Sequence, residues 1–293
     1  STLFTDNSAG LTKKVKGITI SPEVGFSIQN QHLRSRLTVF NGAEQEILNG
    51  NFRNNLDFLS SQLYFANRFV YEKNNWNFRL NTPVNYRLFN VEDSGLNHDQ
   101  SLNRLTFEPD IYIRNKLSAF WETSVSAGIS NEFGEMNRMY YGFILNNYRS
   151  LQRYNSPLPE DFRQNYNWRL TYRNPLTSFF ASTSYSYMNT KRNILYSNLI
   201  GENGATLLEA IERKNYSYAH NWNAKASKYL SKINTTLSLG ATFSLFGREQ
   251  LLNQSLTEVR NENLSFDLDL ESEITDWLSA SYSGNLGLLQ TSI

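Results

Sequence analysis

The chain has 293 residues, a net charge of +1 and 19% charged residues, so no basic field marks it for nucleic acid. It contains no cysteine, which excludes disulfides, thiolate metal sites and cysteine nucleophiles. A mean hydropathy of −0.51 and the lack of any apolar run of about 18 residues exclude membrane-spanning helices, whereas 17 Tyr and 19 Phe favour strands.

The chain opens Ser1-Thr2-Leu3-Phe4 with no basic or apolar leader and stops in mid-pattern at Thr291-Ser292-Ile293, so it reads as a segment or a processed form. Period-two alternation then recurs in about six hairpins. The first sets Ile18, Ile20, Val24, Phe26 and Ile28 against Thr19, Ser21, Glu23 and Ser27, with a turn expected at Asn30-Gln31-His32 and a return through Val39. The second climbs through Leu59, Leu63, Phe65 and Phe69, turns at Lys73-Asn74-Asn75 and returns with Trp76, Phe78, Leu80, Val84, Tyr86 and Leu88. The third runs Leu105 to Ile113, turns at Asn115-Lys116 and returns with Trp121, Thr123, Val125, Ala127 and Ile129.

In the fourth, Tyr166, Trp168, Leu170 and Tyr172 precede Asn174-Pro175, a turn opener because Pro presets φ. Phe179, Ala181, Thr183, Tyr185 and Tyr187 follow it. The fifth pairs Tyr218, Trp222, Ala224 and Ala226 with Leu237, Leu239, Ala241 and Phe243 around Ser231-Lys232. The sixth pairs Leu264, Phe266, Leu268 and Leu270 with Leu278, Ala280, Tyr282 and Leu286 around Thr275-Asp276.

These strands run about 10–14 residues, longer than the usual five or six and long enough for a tilted membrane crossing. Short polar turns at one end alternate with long connections at the other, at 41–55, 92–101, 131–160, 191–215 and 248–262. Trp76, Trp121, Tyr172 and Trp277 lie beside the short turns, where an interfacial aromatic girdle belongs. A soluble sandwich also alternates, but its outward face would be rich in Lys and Glu; here the polar face is Ser, Thr, Asn and Gly. The pattern predicts one domain over 1–293: an all-β, antiparallel transmembrane barrel of about 12 strands with short periplasmic turns and long extracellular loops. Such a barrel belongs in the bacterial outer membrane, with lipid around it.

The run Tyr141-Gly142-Phe143-Ile144-Leu145-Asn146-Asn147-Tyr148-Arg149-Ser150-Leu151, together with Tyr172-Arg173-Asn174-Pro175-Leu176, Tyr185-Ser186-Tyr187 and Ile18-Thr19-Ile20-Ser21-Pro22-Glu23, resembles the barrel portion of TonB-dependent-receptor-like outer-membrane proteins of the Bacteroidetes type. The resemblance implies a larger barrel of about 22 strands, closed by a plug that this sequence does not show. It also implies uptake of a nutrient ligand, with an inner-membrane energy-transducing complex and a surface lipoprotein as partners. A passive pore, an adhesin or a secretion-associated barrel is the alternative.

Catalytic chemistry finds little footing. His32, His98 and His220 are far apart in sequence and none has metal-ligand spacing, so neither enzyme, metal nor cofactor is expected. His220 falls in register with Tyr218 and Trp222 and reads as an interfacial aromatic residue. Asp93, Ser94, Asn97 and Asp99 supply oxygens in one stretch but lack calcium-loop spacing, and read as a solvated turn. The expected lumen-facing charges are Arg79, Arg87, Glu108, Asp110, Arg114, Glu122, Arg169, Asp267, Asp269, Glu271 and Glu273, either setting ion selectivity or pairing across the ladder. The expected loop contacts to a ligand are Phe133, Tyr140, Tyr148 and Tyr154, for which loop packing is an equal reading. Glu202-Asn203-Gly204 reads as a turn at a loop tip.

Overall fold

A computed structural model describes residues 1–42, 44–48, 50–134, 139–147, 149–154, 156–200, 205–253 and 255–292. Its strands are β1 (Thr2–Gly10), β2 (Lys13–Val15), β3 (Ile18–Arg36), β4 (Thr38–Asn41), β5 (Glu44–Ile47), β6 (Arg53–Lys73), β7 (Trp76–Asn81), β8 (Val84–Asp93), β9 (His98–Phe107), β10 (Asp110–Lys116), β11 (Trp121–Phe133), β12 (Ile144–Asn147), β13 (Ser150–Arg153), β14 (Glu160–Asn174), β15 (Phe179–Ile200), β16 (Thr206–Leu230), β17 (Thr235–Leu252), β18 (Ser255–Thr275) and β19 (Leu278–Ser292). All but β4 and β5 belong to one sheet.

Twelve lines of strand make up that sheet's main antiparallel order. β1 and β2 share one register against β3, so they are two halves of one strand. β7 and β8 likewise keep one register against β6. β9 and β10 keep one register against that divided strand. From there the order runs β11, β14, β15, β16, β17, β18 and β19, each antiparallel to the next. β1/β2 pairs with β3 alone and β19 with β18 alone, so among the described residues the sheet has two open edges. No described helix is long and apolar enough to cross a membrane; strands do the crossing.

The alternation survives as two chemically distinct faces. One row across all twelve lines reads Val15, Ile18, Tyr71, Phe78, Ile113, Val125, Trp168, Tyr185, Trp222, Phe243, Leu264 and Leu288. One residue along, the row reads Glu72, Asn77, Arg114, Ser124, Arg169, Ser184, Asn223, Thr242, Ser265 and Gly287. Apolar-face residues are open to the surroundings: Val24 and Phe65 are 50% exposed and Leu239 is 52% exposed. A water-soluble sheet does not leave such a belt uncovered; a membrane barrel turns it to lipid.

The short turns sit where the alternation places them, with two exceptions. Lys16-Gly17, both at positive φ (48° and 87°), turn β2 into β3, as a two-residue hairpin of this hand requires. At Asn174-Pro175 the Asn174 Oδ1 accepts from the Leu176 and Thr177 amides at 3.1 and 3.3 Å, and Ser178 closes the 3-10 turn at φ 47°. One exception is Asn115-Lys116, which closes β10 in pairing with Thr123 and Glu122, so the turn falls beyond it. The other is Asn30-Gln31-His32, which is no turn: β3 runs through it, paired residue for residue with β6. The partner strand of the first hairpin is instead the one built from β1 and β2.

Three of the stretches read as long loops are largely strand. Residues 92–101 turn in the four residues Ser94–Asn97, since Asp93 pairs with His98. β15 and β16 pair out to Ile200 and Thr206, with a bulge opposite Asn193, and β17 and β18 pair out to Leu252 and Ser255. The strands simply project past the membrane zone. The turn expected at Glu202-Asn203-Gly204 lies outside the described residues.

Candidate functional site: the polar face and its strap

Above the belt, the polar face changes character. Leu56 and Phe58 of β6 and Phe89 and Val91 of β8 occupy polar-face positions, yet they are 0–5% exposed. Met139, Tyr141 and Leu158, from the connection between β11 and β14, cover them. A second cluster joins Tyr140 and Tyr154 of the same connection to Ile194 of β15 and Ala210 of β16, with Leu33 of β3 packed against both clusters. The connection is a strap lying across the inner surface, not a loop reaching outward.

Hydrogen bonds pin the strap at both ends. On the β6 side, Asn54 Oδ1 accepts from the Gly142 amide at 2.7 Å and Asn54 Nδ2 donates to the Gly142 carbonyl at 3.3 Å. A side chain at Gly142 would meet the Arg53 carbonyl at 2.6 Å, so the close approach requires glycine. On the other side, β13 pairs in parallel with β16, and Arg153 binds Glu209 at 2.5–2.6 Å. β6 and β16 are well separated in strand order, so the strap is a chord across a curved sheet. Burial pushes the Tyr141 hydroxyl well above the ordinary tyrosine range, reinforced by the Asp93 and Asp99 carboxylates.

The strap absorbs part of the expected ligand shell. Tyr140 and Tyr154 are 5% and 7% exposed, with ring centroids 5.0 Å apart edge to face, and Phe133 lies 4.9 Å from Phe89. All three sit in packing positions; Tyr148 lies outside the described residues. Sequence reading missed Leu56, Phe58, Phe89 and Val91. The signal was present: in these stretches apolar residues move onto the face that lower down carries Gln62, Arg87 and Asn85.

All the expected lumen charges lie on the polar face, in two groups and several single positions. Arg87 and Glu108 form a part-buried pair at 2.6 Å, with Arg87 also donating to Thr106 Oγ1 at 3.1 Å and Gln62 Oε1 at 3.2 Å. Asp110 accepts from Asn81 Nδ2 at 2.9 Å on each oxygen, and Arg79 stacks over the Tyr112 ring at 5.7 Å. Farther along, Arg169, Arg173 and Lys225 face Asp267 and Asp269 across a groove of 520 Å³ floored by Ser227, Ser238 and Gly240. Asn285 holds Asp267 and Ser283 holds Asp269, each at 2.6 Å. Glu122 lies in register with Lys116 and Thr171, and Glu271 with Thr236 and Ser281. The array combines basic and acidic strands across one hydroxyl-rich surface.

The three histidines take separate places. His220 lies on the apolar face, 2.8 Å from the Tyr185 hydroxyl and ringed by Tyr187 and Tyr218. His32 meets Asp57 at 2.6 Å, and the His98 ring packs at a tilt against Tyr141, with centroids 4.1 Å apart. Asp93 is fully buried, and its Oδ1 accepts from the Gly95 and Leu96 amides, which makes it a turn cap. Among the described residues no three acidic or imidazole groups gather to hold a metal.

No protein-family model matches the chain, and no curated protein does either. Solved structures do. The chain aligns over 99% of its length with the unliganded ferric citrate transporter FecA, at 8% identity and a TM-score of 0.54, covering 54% of that protein. It aligns over 96% of its length with the copper transporter OprC, at 10% identity and a TM-score of 0.53, covering 50% of it. The chain therefore spans about half the length of each. At such identities the likeness speaks for the fold alone, and the fold is that of an outer-membrane β-barrel wall whose apolar face is turned to lipid.

Proposed function

We propose that this chain is barrel wall of a TonB-dependent-receptor-like transporter of the Bacteroidetes type, which takes up a nutrient ligand across the outer membrane. The observation that carries the reading is the open sheet of twelve strand lines with a continuous apolar face and a charged, hydroxyl-rich inner face. A narrow self-contained pore would close its edges; a wall with free edges suits a wider barrel, and the two aligned transporters are about twice as long. The ligand would be a glycan, a peptide or a metal chelate. Energy would come from an inner-membrane complex, and a surface lipoprotein would assist capture.

The test is ligand-dependent growth of a strain lacking the full gene, on glycans, peptides and metal chelates supplied as sole sources, followed by uptake with and without a protonophore. Loss of growth on one class, with uptake abolished by the protonophore, is the expected result. Uptake that continues in de-energised cells in proportion to outside concentration would replace the reading with a passive pore.

A further inference from the structure

Three prolines cross the N-terminal half of the sheet at nearly one height. Pro22 pairs opposite Asn67, whose carbonyl accepts from Thr82 just before Pro83, and the Pro83 carbonyl accepts from Glu108 just before Pro109. Each proline lacks an amide toward one neighbour. Pro22 lacks it at the gap between β1 and β2, Pro83 at the gap between β9 and β10, and Pro109 on the side of β11. The last gap is not repaired. The Ile129 amide still reaches the Pro109 carbonyl at 3.1 Å, but beyond it, among the described residues, β9 pairs with β8 alone and Ser130–Phe133 of β11 pair with β14 alone.

Side chains hold the seam instead of a ladder. Arg104 of β9 binds Glu160 of β14 through two contacts of 2.7 Å, and Gln100 donates to the Ser156 carbonyl at 3.3 Å. Asn131 donates to Glu108 at 3.4 Å. A cavity of 440 Å³ lies in the seam between Arg104 and Leu102 on one side and Leu158, Glu160 and Glu212 on the other. Behind it, on the inner face, Asn131 and Phe133 border a second cavity of 560 Å³ lined by Gln29, Ser60 and Arg87. On the lipid side, Leu105 and Phe107 stand 72% and 53% exposed beside the missing neighbour.

We propose that this seam is a lateral port between the inner face and the outer leaflet, latched by Arg104–Glu160. A continuous ladder inside a bilayer cannot be parted cheaply, because every backbone group there needs its partner. Exposed ion pairs hold far less strongly, so a seam closed by one is the place where the wall yields. Phe107 lies within about ten residues of the short turn after Lys116, inside the length a strand needs to cross, so the port opens below the outer surface. Its chemistry fits an amphiphile: an apolar tail against Leu105 and Phe107 on the lipid side, and a polar head among Arg104, Glu160 and Glu212. The proposal rests on the barrel fold and not on the uptake reading.

The test uses the full-length protein in outer membranes, with single cysteines carrying a small fluorophore and a fatty acid bearing a nitroxide on its tail as quencher. Cysteine is otherwise absent from this chain. Leu239→Cys reports the lipid face, Ser238→Cys the inner face far from the seam, and Ser60→Cys the inner face behind it. Quenching at 239 and no quenching at 238 and 60 are expected in the parent. Glu160→Gln or Arg104→Gln should raise quenching at 60 several-fold while 238 stays unquenched, and the exchanged pair Arg104→Glu with Glu160→Arg should restore the parent pattern. A fluorophore at 60 that stays unquenched in both latch variants would overturn the port. Quenching at 238 but not at 239 would instead overturn the assignment of faces, a separate failure.

Discussion

Trp222 on β16 and Thr183 on β15 lie on the apolar face, and the indole N–H donates to the threonine hydroxyl at 2.7 Å. Two pairings along, Trp168 Nε1 donates to Thr123 Oγ1 at 3.2 Å. In hydrocarbon an indole N–H has no water to bond, so a hydroxyl on the neighbouring strand lets tryptophan serve within the belt.

Thr183→Val should therefore destabilise the folded barrel by about 1–2 kcal/mol, the worth of such a bond in a membrane. Trp222→Phe in the same chain should remove most of that penalty, since no donor is left behind. Chemical denaturation in lipid vesicles, run as a double-mutant cycle, measures both. Equal losses from Thr183→Val in the two backgrounds would show that the hydrogen bond contributes nothing.

Leu239→Arg should cost roughly 2–4 kcal/mol if the residue lies near the bilayer midplane. The neighbouring Ser238 faces the other way, with its hydroxyl 3.0 Å from Ser227, and Ser238→Arg should be tolerated. Heat-modifiable migration of the folded protein on gels distinguishes the two. Similar folding yields for both variants would remove the two-face assignment.

Glu108→Ala leaves Arg87 with a part-buried charge and only neutral partners, so a loss of about 3–5 kcal/mol is expected. Arg87→Met with Glu108→Leu should recover most of it, because a well-packed apolar pair avoids both desolvation costs. Unfolding midpoints of the three variants decide the point.

Gly142→Ala should lift the strap from β6, since the new methyl would stand 2.6–3.0 Å from the Arg53 carbonyl, Asn54 Oδ1 and the Asn51 carbonyl. The belt is untouched, so the barrel should still form while limited proteolysis cuts within 139–159 far faster. Asn54→Ala, which removes both hydrogen bonds to Gly142, should show the same pattern. An unchanged cutting rate in both would mean that the apolar clusters alone hold the strap.

Much of this fold was legible because period-two alternation is a local property wherever one face meets lipid and the other does not. The pairing of Leu239 with Leu268 and the turn at Asn174-Pro175 both follow from residues a few positions apart. The signal failed where the strands leave the bilayer. At Asn30-Gln31-His32 the residues themselves are polar on both faces, so alternation lapses and resembles a turn, although β6 pairs straight through it. Thr2–Gly10 was missed for the same reason: Asn7 stands in the row of Phe26 and Leu63 on a nine-residue strand at the sheet's edge, where little packing depends on it.

The sequence by itself determined two faces, eleven of the twelve crossings and which end carries the short turns, because each depends on neighbours along the chain or on the chemistry of lipid. Only the tertiary structure decided where the connection after β11 goes. No local pattern states that Met139 and Tyr141 will cover Leu56 and Val91 while Tyr154 reaches Ile194. That choice belongs to surfaces far apart in sequence, which meet because the sheet curves. The seam beside β9 is decided in the same way: Pro109 is visible in the sequence, but the loss of a partner strand exists only when β11 has turned aside to follow β14.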